Sequence, residues 1–144
     1  MNRSTRLKPV VNFAQRNEQD AAQAFGEAQQ SVAAEQKRLQ DLQHYREEYV
    51  ADFQRKGRAG VSGAAMQQFQ HFLARLDDAI AQQIKRLQGA NVNAQQSNEQ
   101  WQQKLTRSRA LNNAVSNFQQ LEREHQDRLD QKEADERTAQ RHRK

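Results

Sequence analysis

The sequence predicts an all-α fold: a long two-helix antiparallel coiled-coil hairpin whose second helix is the longer and overhangs the first. Three observations predict it. The 144 residues include 25 Gln and 20 Ala but one Pro, five Gly and no Cys. Ala, Gln, Glu, Arg, Lys and Leu dominate, which is the composition of long helices, and Gly and Pro are too scarce for a turn-rich β domain. Apolar residues recur at alternating spacings of three and four along two long stretches. One glycine-containing break, Arg55–Gly63, separates the stretches.

The first stretch reads Val11, Ala14, Glu18, Ala21, Phe25, Ala28, Val32, Glu35, Leu39, Leu42, Arg46, Tyr49, Phe53, with ten of 13 positions apolar. A heptad repeat held for that long is a coiled-coil seam. The second runs from Phe69 through Leu73, Leu76, Ile80, Gln83, Leu87, Ala90, Ala94, Ser97, Trp101, Lys104, Ser108, Leu111, Val115, Phe118, Glu122 and His125 to Leu129. Pro9 fits the first turn of helix 1, and Ser62 fits the N-cap of helix 2. Gly26 and Gly89 lie inside helices as soft spots. The chain therefore reads as one domain over 1–144: helix 1 about 9–55, loop about 56–62, helix 2 about 63–138, and a frayed tail 139–144. Pairing seam residues whose numbers add to 122 sets Phe53 against Phe69, Tyr49 against Leu73, Ala21 against Trp101, Glu18 against Lys104 and Val11 against Leu111. Helix 2 beyond Leu111 then has no partner in helix 1.

Composition and charge narrow the function. No apolar run is long enough to span a membrane, and the N-terminal stretch has no signal-peptide core, so a cytoplasmic location is expected. Without Cys there are no disulfides or thiolate metal sites. His44, His71, His125 and His142 form no ligand-spaced pair, so no metal is expected. No P-loop, zinc-protease helix or nucleophile elbow occurs, and a two-helix hairpin offers no water-excluding pocket. Enzyme activity, cofactors and small-molecule ligands are not expected. The net charge of +5 sits in separate clusters (residues 1–8, 54–63 and 101–118) without a continuous basic stripe, which argues against nucleic acid. Protein–protein binding remains. Tyr45 and Phe72 stand at flanking g positions. With Leu42, Tyr49, Leu76 and Ala79 they make one aromatic-rich patch, and clustered aromatics are typical interface anchors. The unpaired end of helix 2 offers Val115, Phe118 and Leu129 with a run of mixed charge, next to Val10, Val11 and Phe13 at the start of helix 1.

Three strings carry a resemblance: Leu39–Tyr49 (LQDLQHYREEY), Gln68–Ile80 (QFQHFLARLDDAI) and Gln131–Glu136 (QKEADE). With the length and the longer second helix, the chain resembles the flagellar type III export protein FliJ family over nearly its whole length. The resemblance implies a non-enzymatic export component, similar in fold to the central stalk of rotary ATPases. It would insert its terminal end into a hexameric flagellar export ATPase, contact the export-gate protein FlhA, and help cycle export chaperones. It would be a monomer on its own, peripheral on the cytoplasmic side of the inner membrane. The resemblance assigns gate binding to Leu42, Tyr45, Tyr49, Phe72, Leu76 and Ala79, with Arg38 and Gln83 departing from the family at the patch edge. ATPase-ring binding would fall to Val10, Val11, Phe13, Val115, Phe118, Leu129, Gln131, Lys132, Glu133, Asp135 and Glu136. An injectisome stalk, a homo-oligomeric coiled coil and a nucleic-acid-bridging protein are the alternative readings.

Overall fold

The computed structural model describes residues 2–143. Two α-helices, α1 (Arg3–Lys56) and α2 (Gly63–His142), flank a single 3-10 turn, Gly57–Ala59, and no strand occurs among the described residues. The helices form an all-α hairpin. It comprises two compact units, Ala22–Glu99 and Met1–Ala21 with Gln100–Lys144.

In the unit Ala22–Glu99 the connection, residues 57–62, contains two glycines. Gly60 donates its N–H to the Gly57 carbonyl at 3.0 Å and has φ 105°, a left-handed value that favours glycine. Ser62 caps α2 as expected, its Oγ accepting the Ala65 N–H at 3.2 Å. Next to the turn, Phe53 stacks on Phe69 with ring centroids 3.9 Å apart, the pair the seam pattern predicts. Ala28 and Leu76 are buried. Gln83 is also buried, and its Nε2 donates to the Glu35 main-chain carbonyl at 2.9 Å and to the Glu35 carboxylate. Arg46, a charged seam residue, donates Nε–H to Asp77 Oδ1 at 2.6 Å. That hydrogen bond, helped by the opposite charge, raises the guanidinium pKa above its ordinary value.

In the other unit Val11 and Ala14 are buried. Trp101 Nε1 donates to Glu18 Oε1 at 2.8 Å. The buried Ser4 gives both its N–H (3.2 Å) and its hydroxyl (2.7 Å) to the Glu122 carboxylate, and the Arg3 guanidinium lies 5.6 Å from the Phe118 ring centroid.

Four expectations are corrected. Helix 1 starts at Arg3, not near residue 9, and Pro9 lies inside α1. The missing Pro9 N–H orphans only the Thr5 carbonyl, while the first turn is held by the Ser4–Glu122 bonds. Because α1 begins earlier, Val115 and Phe118 are half-buried instead of bare, and α2 becomes uniformly exposed only from residue 123. Glu18 does not pair with Lys104. It accepts from Trp101, and Lys104 is exposed while Leu105 is half-buried, because a 3.6-residue helix drifts against a strict heptad. The tail predicted to fray from 139 stays helical to His142, where Arg141 and His142 complement the C-terminal dipole.

Candidate protein-binding surfaces

All thirteen predicted seam positions of α1 are buried or half-buried. The residues left outside the seams are therefore the ones available to partners. In the unit Ala22–Glu99 the outstanding feature is a run of touching rings. Phe53 and Phe69 stack. Tyr49 lies 5.4 Å from Phe69 and 4.5 Å from Phe72. Tyr45 meets Phe72 edge-on at 6.1 Å and 75°, a favoured geometry for aromatic pairs. The first four rings are half-buried, and Tyr45 at the end of the run is 49% exposed.

The six predicted gate-contact residues divide by accessibility. Tyr45 is exposed. Leu42, Tyr49, Phe72 and Ala79 are half-buried, and Leu76 is buried beneath them at 7% exposure. Tyr45, Tyr49 and Phe72 wall a surface groove that Gln68, His71 and Arg75 complete. These last three were missed in the sequence. Their i, i+3, i+4 and i+7 spacing around Phe72 on one face of α2 was the available signal. A second groove in the same unit, lined by Phe25, Gln29, Val32, Ala33 and neighbours on α2, contains no charged residue.

The predicted ATPase-ring set also divides. Val10 (41%), Phe13 (59%) and Leu129 (44%) are exposed, whereas Val11 is buried in the seam. Val115 and Phe118 are half-buried, with Phe118 beside Arg3 in the first turn of α1. Gln131, Lys132, Glu133, Asp135 and Glu136 are exposed. Gln131 Nε2 donates to Asp135 at 3.1 Å, and Arg137 pairs with Glu133 at 3.9 Å. Leu121, one residue off the seam, is 56% exposed.

His44 pairs with Glu48 at 3.0 Å, and no group of three or more His, Asp or Glu among the described residues could hold a metal ion. No described helix is long and apolar enough to cross a membrane. The arrangement can offer apolar and charged surface to another protein. No curated protein matches the chain, and no solved structure matches it. A family model described as flagellar FliJ protein matches residues 3–144, and the chain belongs to that family.

Proposed function

We propose that the chain is a binding component of flagellar protein export that engages three partners: the hexameric export ATPase, the export-gate protein FlhA and the export chaperones. The family is one of non-enzymatic, export-associated proteins. The observation that carries the finer reading is the Tyr45–Phe72 pair, an edge-on aromatic contact with Tyr45 half exposed. A ring needed only for the core would be covered, and a ring needed only for solubility would be replaced by a polar residue. The gate would take this surface. The ATPase would take Val10, Phe13 and Leu129 with the charged residues 131–136. The seams close within one chain, which supports a monomer, and peripheral attachment through the export apparatus is compatible with described helices of which none is long and apolar enough to cross a membrane.

Tyr45→Ala combined with Phe72→Ala tests the gate reading. The double variant should keep its helical circular dichroism, because both side chains flank the seam, and should lose binding to the FlhA cytoplasmic region. A helical double variant that still binds FlhA at wild-type affinity would remove the basis for assigning the gate to this surface.

A further inference from the structure

We propose, building on the gate-binding reading of the Tyr45 surface, that its groove selects a partner segment in which an aromatic side chain stands within one turn of a carboxylate. The walls are Tyr45, Tyr49 and Phe72, and the remaining lining residues are Gln68, His71 and Arg75. The charge in the groove is therefore of one sign. His71 and Arg75 lie one turn apart on α2, both exposed. Neither forms an ion pair among the described residues. Of the nearby acids, Glu48 is engaged by His44 at 3.0 Å, Asp52 by Arg55 and Asp77 by Arg46 at 2.6 Å, while the exposed Asp78, one turn from Arg75, forms no ion pair with it. An arginine beside aromatic walls that forms no ion pair among the described residues can take a carboxylate from a partner. Arginine binds carboxylates through paired, charge-assisted hydrogen bonds, and the His71 ring offers a further donor. The partner's ring packs on Tyr45 and Phe72, and its carboxylate meets Arg75. The apolar contact supplies most of the affinity. The charge supplies choice of partner and on-rate, helped by the chain's net charge of +5.

The test uses the full chain and two fluorescein-labelled peptides, one with Phe flanked by Asp residues and one with Asn in place of each Asp. The Asp peptide should bind about fivefold more tightly, with the difference shrinking as salt rises. Arg75→Gln should erase the difference and leave the Asn peptide unchanged, and Tyr45→Ala should weaken both. Equal affinities for the wild type, a difference that survives Arg75→Gln, or no binding of either peptide up to about 1 mM overturns the proposal. Titration with the FlhA cytoplasmic region keeps the two readings apart. Gate binding lost in Tyr45→Ala without peptide discrimination sinks the acidic-partner inference alone. Discrimination through Arg75, with gate binding untouched by Tyr45→Ala, sinks the gate reading alone. Self-association that Tyr45→Ala abolishes would assign the groove to a second copy of the chain and overturn both.

Discussion

Gly26 and Gly89 sit inside α1 and α2, and a Cβ added at either position meets nothing within 4 Å. Neither has a positive φ. Glycine there costs helix stability without relieving a clash, so Gly26→Ala and Gly89→Ala should each stabilise the protein by about 0.5–1 kcal/mol in urea denaturation. Gly60 behaves oppositely. Its φ of 105° makes Gly60→Ala destabilising by about 1 kcal/mol or more. Seam residues differ by what they bury. Leu76, 7% exposed, should cost about 2–3 kcal/mol on Leu76→Ala, at the low end for a core leucine because a two-helix seam can collapse around the gap. Gln83→Leu should change stability by less than about 1 kcal/mol. The Glu35 carboxylate keeps Arg38 at 2.9 Å, and the lost hydrogen bond is offset by new apolar burial. A larger loss for Gln83→Leu than for Leu76→Ala would mean that the polar layer, not the apolar one, holds this part of the hairpin.

The helices were legible in the sequence because a heptad seam is a long-range pattern that many residues report at once. Every α1 seam position from Val11 to Phe53 is covered, and the Phe53–Phe69 stack fixes the turn-proximal register. The ends were less legible. Pro9 resembled a helix start, and nothing local announced that Ser4 would reach Glu122 and hold six further residues in α1. Lys104 shows the limit of a strict repeat, since the heptad counted it as seam while Leu105 took the half-buried place. Of the candidate groove, the aromatic wall could be read from g-position rings. His71 and Arg75 share a helical face with Phe72 by their spacing, but charged residues on an exposed helix face are ordinary, so the spacing alone did not single them out. The corrected α1 start moves the point where α2 can be cut. A chain ending at Glu122 should unfold within about 1 kcal/mol of the full protein, since residues 123–143 are exposed and surface residues contribute little. A chain ending at Leu111 should lose about 3 kcal/mol or more, because it removes the half-buried Val115 and Phe118 and the Glu122 carboxylate that holds Ser4. Equal stability of the two truncations, measured by denaturant melts, would contradict the pairing seen at Ser4.

For the molecule as a whole, membership of a flagellar export family gives these surfaces their context. The aromatic groove belongs to the unit Ala22–Glu99, and the candidate ATPase contact to the unit that holds both termini. The central claim is that these are two separable binding functions on one chain. It is tested most directly by measuring ATPase stimulation and FlhA binding side by side on two variants: Tyr45→Ala with Phe72→Ala, and the chain ending at Glu122. The account predicts that the aromatic variant stimulates the ATPase normally and does not bind FlhA, while the truncated chain binds FlhA normally and stimulates poorly. Parallel loss of both activities in either folded variant, or full stimulation by the truncated chain, would contradict it.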